Sequence, residues 1–242
     1  MDERAYLERY DANAYDRPSV TVDLILMSVV DGAPAVLLAE RGQHPFAGHW
    51  ALPGGFVGRD ESLDAAARRI LHDKAHLTDA YIEQLYTFGA VQRDPRMRVI
   101  SVAYFALLPV ERFRTALRHA PELTLASLGV SPSGGGVEAR IDGGSPVTLA
   151  FDHDAMIALA LERLRGKLDY SHVAFALLPE RFTLRMLQEV YEAILGQSLN
   201  KPAFRRRMLD RGWLEATGER ETGASFRPAE LYRAHIPERD AL

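Results

Sequence analysis

The chain has no cysteine among its 242 residues. This rules out disulfides, a thiol nucleophile and any thiolate-based zinc site, and it suits a reducing cytosol. Long apolar runs are also missing. None approaches the roughly 18 residues of a membrane span, and the opening MDERAYLERYDANAYDRP lacks the apolar core of a signal peptide. A cytoplasmic protein with no membrane partner is expected. Excess positive charge is missing as well. Lys and Arg number 29 against 33 Asp and Glu, for a net charge of −4. A uniformly basic nucleic-acid-binding coat is therefore excluded. A local basic patch is not, because such fields act within about 10 Å. The length is comfortable for two domains.

What is present is organised around residues 50–77, WALPGGFVGRDESLDAAARRILHDKAHL. Pro53, Gly54 and Gly55 follow a short apolar run and force a turn that bares backbone N–H groups. Ser62 is placed to cap the following helix, with Asp60, Glu61 and Asp64 near its positive end. Leu63, Ala66, Ala67, Ile70, Leu71 and Leu77 recur at helical spacing, so one face is buried. Around this helix, 19–30 reads as a buried strand, Asp31-Gly32 as a turn and 35–39 as the hairpin partner. Residues 50–52, 82–91 and 99–108 read as further strands, the last two joined by the charged loop 92–96. Residues 110–143 look less regular, and 137–141 with 147–151 read as a small hairpin at the edge of the first domain.

The stretch at 50–77 resembles the Nudix box, the signature of hydrolases that cleave nucleoside diphosphates linked to another group. Gly55, Glu61 and Arg69 occupy the box positions for Gly, the first Glu and Arg. The other positions depart: Ile70, Asp73 and Lys74 stand where the box has three glutamates, and His76 stands where it has its late Gly. Positions 70, 73 and 74 share one helix face, the face that would gather carboxylates on a divalent cation. Lys74 would repel a dication about 4 Å away by about 8 kcal/mol at an effective dielectric of about 20, and magnesium demands near-octahedral oxygen ligands. No metal, no cofactor, no catalytic residue and no metal-dependent hydrolysis are therefore expected. Glu61 and Arg69 read as a structural ion pair. The remaining frame can still bind an effector. Gly54 and Gly55 offer N–H groups to phosphate. Arg41, Arg93, Arg96 and Arg98 flank such a pocket, and Phe46, Trp50 and Phe88 are placed to stack a base.

Further along, 152–168 is amphipathic, with Asp152 or Asp154 as its cap, and reads as a linker helix. Residues 183–195 form a helix ended by Gly196, and a second helix runs from 199–200 to 210. Short strands at 213–216 and 229–232 enclose the charged loop 217–227. Helix, turn, helix and two-stranded wing make a winged helix. Residues 181–213 carry seven Lys/Arg against three acids in a chain that is net negative. Phe204, Met208 and Leu209 are expected to be buried. Lys201, Arg205, Arg206, Arg207 and Arg211 then face a major groove, where Arg reads guanine and phosphate. Arg220 and Arg227 in the wing loop reach the backbone or minor groove.

Taken together the chain resembles the Nudix-related transcriptional regulators, the NrtR family. The resemblance is carried by PSVTVDLIL, PFAGHWALPGGFV, YIEQLYTFG, RDPR, VISVAYFALLP, LERLRGKLDYS, FALLPERFTLRMLQEVYEAILGQSLNKPAFRRRMLDRGWLEATGE and RPAELYR. It implies an α/β (α+β) chain, with a Nudix-like α/β/α sandwich followed by a C-terminal winged helix-turn-helix. The implied division is 1–152 for the sensor, 153–169 for the linker helix and 170–242 for the reader. It further implies a homodimeric repressor on a palindromic operator, an effector such as ADP-ribose, and targets in NAD metabolism or sugar utilisation. Effector binding is expected to move the winged helices through 152–168. Two rivals remain: an active Nudix hydrolase of ADP-ribose or a related nucleoside diphosphate, and an adaptor whose basic helix binds acidic proteins.

Overall fold

The computed structural model describes residues 2–11, 14–78, 80–130, 136–221 and 228–235. A short helix α1 (Glu3–Arg9) with no buried residue precedes the first strand. The strands β1 (Ser19–Val30), β2 (Ala33–Glu40), β3 (Trp50–Ala51), β4 (Gly54–Phe56), β5 (Tyr81–Phe88), β6 (Val99–Leu107), β7 (Leu123–Val130) and β8 (Val137–Ile141) form one mixed sheet. Its order is β5-β6-β1-β2-β7-β8, with β3 on β2 and β4 on β1. The β1 strand runs parallel to β6 and antiparallel to β2. Because successive residues face opposite sides of a strand, β1 feeds two cores. Val22, Leu24 and Leu26 pack under α2 (Leu63–Ala75) and α3 (Val110–Leu117). Ile25 and Met27 point the other way, to α4 (His153–Lys167) and α5 (Leu184–Leu195). This is an α/β/α sandwich.

The box helix starts where expected. Ser62 accepts the Ala65 N–H, and Ala66, Ala67, Ile70, Leu71 and Ala75 are buried. His76 closes it in the left-handed region at φ 52°, which explains the preference for Gly at this box position.

Three expectations change. Within 110–143 the described residues hold α3, β7 and β8. The main partner of β8 is β7; 147–151 is not a strand, though the Val147 N–H returns to the Ala139 carbonyl of β8 at 2.9 Å, and it touches β3 through the Trp50–Leu149 bridge. The helix read as a linker is a packed layer of the sandwich, with Met156, Ile157, Ala160, Leu161 and Leu164 buried.

After a 3-10 turn at Val173–Leu177, α5 is capped by Thr183 and closed by Gly196 at φ 70°. Asn200 caps α6 (Lys201–Asp210), and β9 (Leu214–Arg220) pairs with β10 (Glu230–Ala234). Phe204, Met208 and Tyr232 join Tyr191 and Leu187 in the core that also contains Ile25 and Phe105. No helix among the described residues is long and apolar enough to cross a membrane.

Candidate functional site

Two regions gather the candidate residues. The first lies at the end of the sheet where β3 and β4 meet the start of α4. Arg41 donates through Nε to the Pro45 carbonyl at 2.9 Å, and its guanidinium lies 4.8 Å over the Phe151 ring. Arg96 faces the same ring at 5.8 Å and Phe56 at 5.7 Å. Phe46 meets Phe151 edge-on at 4.9 Å. Burial and the neighbouring Arg96 cation lower the Arg41 pKa from its usual value. Two cations thus share one phenyl ring, a setting that favours a polyanion. Asp94 tempers it by binding Arg96 bidentately at 2.7 and 3.0 Å, which holds the Asp94 carboxyl below its usual range. Phe46 and Phe151 both have left-handed backbones, at φ 63° and 56°. That conformation costs about 1–3 kcal/mol for a side-chain-bearing residue and persists where the surroundings enforce it.

Next to this group of rings and cations lies a buried polar cluster. Ser101 donates to Asp23, and the Arg93 guanidinium sits 3.8 Å from the same carboxylate. Arg93 donates to both oxygens of Asp152, at 2.6 and 3.0 Å. His153 accepts the Leu52 N–H through Nδ1 at 2.9 Å, which leaves Nε2 to carry the proton 3.9 Å from Asp23. Burial lowers the His153 pKa and so favours the neutral ring.

Placement differs among the effector candidates. Arg41, Phe46 and Arg96 converge. Arg93 is turned inward to Asp152, which therefore does not cap α4 as expected. Arg98 donates to the Gly89 and Ala90 carbonyls at 2.9 and 3.0 Å and pins that loop. Trp50 and Phe88 pack against the core rather than with Phe46. Gly54 and Gly55 are not an open loop: they pair with Asp23 and Val22 of β1. Phe151 joins the effector candidates, and Asp152 and His153 the buried cluster beside them, without standing among the candidates. The only signal they leave in the sequence is an Asp before an amphipathic helix, which reads as a cap.

On the box helix, Ile70 is fully buried and lies beneath Gly55, 3.7 Å from the point that a β-carbon on Gly55 would occupy, whereas Asp73 and Lys74 are exposed. Among the described residues no three His, Cys, Asp or Glu side chains cluster as a metal site. Arg69 donates to both oxygens of Glu61, at 2.7 and 2.8 Å, and to the Phe56 carbonyl at 3.0 Å. With the Gly58 N–H, Arg69 holds the Glu61 carboxyl down at about 2.

The second region is the winged helix. Lys201, Arg205 and Arg206 are exposed on α6. Lys201, Arg205 and Arg220 line a crevice between α5, α6 and the wing, joined by Arg185, which is not among the candidates. Arg207 and Arg211 turn back instead. Arg207 lies over Tyr191 and Phe204, 3.7 Å from Asp169. Arg211 donates to the Asp169 carbonyl at 2.6 Å and stacks on Trp213 at 4.5 Å. Leu209, expected in the core, is 42% exposed. Arg227 lies outside the described residues.

Comparison with known proteins follows this division. Residues 18–124 match the family described as the NUDIX domain, and residues 174–234 match the NrtR DNA-binding winged helix domain. The chain is 37% identical over 240 residues, 98% of its own length and 90% of the relative's, to the ADPR responsive transcriptional repressor NtrR of Acinetobacter baylyi. The crystal structure of Shewanella oneidensis NrtR complexed with a 27mer DNA superposes with a TM-score of 0.75 at 35% identity, covering 89% of this chain and 93% of that one. The NUDIX domain of the same NrtR complexed with ADP ribose matches with a TM-score of 0.50 at 35% identity, covering 68% of this chain and 99% of that one.

Proposed function

Since this chain belongs to the NrtR family, we propose that it is a DNA-binding transcriptional repressor whose Nudix domain binds ADP-ribose without hydrolysing it. The observation that carries the reading is the exposed row Lys201, Arg205 and Arg206 beside the wing, on a helix whose other face is fixed in the core by Phe204 and Met208. Such a helix lays cations on phosphates and Arg forks on guanine edges. It acts as a homodimer on a palindromic operator, with half-sites about one DNA turn apart or a multiple of it. An ADP-ribose-responsive repressor suits genes of NAD metabolism or sugar utilisation in the cytoplasm.

The pocket supports an ADP-ribose-like effector. Arg41 and Arg96 suit a diphosphate, and Phe46, Phe56 and Phe151 give flat apolar contact to a base or ribose. Absence of hydrolysis is supported by Ile70, which lies in the core where the box would place a carboxylate. The division into 1–152, 153–169 and 170–242 belongs to the same proposal, with the middle helix as a shared layer.

Fluorescence anisotropy tests this on a labelled duplex selected from a random pool. We expect binding at least about a thousandfold tighter than to a scrambled duplex, and a change of about 5- to 150-fold on adding ADP-ribose. A chain that does not tell the two duplexes apart is not a repressor. Steady AMP release from ADP-ribose and magnesium would instead identify a hydrolase.

A further inference from the structure

Arg93 stands in the loop that carries Arg96, yet its side chain is 4% exposed and its fork is occupied by Asp152. Three consecutive residues at this point are each tied to a different segment. Phe151 lies against Phe46 and under Arg41 and Arg96, in the proposed effector site. Asp152 holds Arg93 from the loop between β5 and β6. His153, the first residue of α4, holds the Leu52 N–H just before β4.

The far end of α4 is held by the winged helix. Arg165 donates to the Ile194 carbonyl at the end of α5 at 2.8 Å. The Tyr191 hydroxyl donates to the Leu168 carbonyl at 3.1 Å, and Arg211 donates to that of Asp169 at 2.6 Å. The 15 residues of α4 span about 22 Å, so one rigid element touches the sensor pocket at one end and the reader at the other.

We propose that Arg93 is a positioning residue, not an effector ligand: through Asp152 it clamps the start of α4 to the sensor loops, so that occupancy of the pocket at Phe151 moves α4 as a unit and resets the winged helix. This rests on the sensor-repressor reading above. An effector touching Phe151 or Arg96 acts within a few residues of the clamp. It shifts the setting only by its different affinity for the two arrangements. Since Arg93 and Asp152 satisfy each other, loosening them removes neither a ligand contact nor a DNA contact.

The test uses the full chain as D152N, R93Q and R93K. Calorimetry gives the Kd for ADP-ribose. Anisotropy gives the Kd for the selected duplex without and with saturating ADP-ribose, and a thermal melt checks folding. In D152N and R93Q each separate Kd stays within about threefold of the parent, while the ratio of the two DNA Kd values falls toward 1 from a parent value of about 5–150. R93K recovers part of the ratio. The inference is overturned if D152N and R93Q keep the parent ratio. It is also overturned if they weaken ADP-ribose binding tenfold or more and saturation restores the ratio, because Arg93 would then be a ligand. A parent chain whose DNA affinity ignores ADP-ribose overturns the underlying reading, a distinct result. Should R93Q fail to fold, the near-isosteric D152N decides.

Discussion

Gly54 pairs with Asp23 across β1 and β4, and a Cβ on Gly54 would collide with the Asp23 Oδ1. That carboxylate has little room to retreat, since Ser101 donates to it and Arg93 lies behind it. The second residue of the Pro-Gly-Gly motif is therefore glycine for a packing reason as well as a turn.

Gly54→Ala should lower stability by about 1–3 kcal/mol through overpacking. In an Asp23→Ala background the same change should cost less, because the clashing atoms are gone. A double-mutant cycle by urea denaturation reads the difference, and additive losses would refute the clash.

His76→Gly should raise stability by about 1 kcal/mol, by relieving a left-handed backbone that a β-carbon disfavours. Little packing is lost, because the His76 side chain is 46% exposed and its ion-pair contact with Glu122 spans 3.9 Å. The midpoint should move up with an unchanged m-value.

Arg206→Ala and Arg205→Ala should each weaken duplex binding and lower the salt dependence, by about one unit of log–log slope for a phosphate contact. Arg211→Ala should act differently. It removes the bond to the Asp169 carbonyl and the Trp213 stack, so its first effect is a lower melting temperature, worth about 1 kcal/mol for a partly exposed bond. Equal effects of all three on DNA, with no change in melting, would contradict the inward placement of Arg211.

Acid should destabilise the chain in two windows. The folded-state pKa of His153 is lowered by burial, so the unfolded chain takes up that proton first. The His153 share of stability is complete above about 6.5 and is lost as the pH falls below it. Glu61, held at about 2 by Arg69, contributes fully above its ordinary value of 4.5 and loses its share as the pH falls toward about 2. His153→Gln keeps an acceptor for the Leu52 N–H and should flatten the first window only, as followed by melting temperature against pH.

The sequence was most legible where local signals agreed. Ser62 and the apolar period both point to the box helix, and the β-branched apolar runs point to β1 and β6. In α3, by contrast, only Phe113 and Ala116 are buried and Pro109 offers no side-chain cap. The β7 strand carries Ala126, Ser127 and Gly129, which owe their conformation to pairing with β2 and β8. Asp152 reads as a cap because capping is a local habit, whereas its partner Arg93 lies 59 residues away. Arg207 and Arg211 look identical to Arg205 and Arg206 in a count of charges. Only the helical phase relative to Phe204 and Met208, and the position of Asp169, separates them.

The core that runs from Ile25 and Phe105 through Leu187 and Tyr191 to Phe204 has a consequence for modularity. The reader is not a cartridge on a tether, because removing it would take α5 away from β1 and β2 and open the core that it shares with the sheet and α4. Sensor and reader should melt in a single transition, and a molecule that grips only the sensor should raise the melting point reported by Trp213 in the reader. Such a chain could not exchange its operator-reading half for another by simple fusion at the boundary. A new specificity would have to arise by substitution on the exposed face of α6.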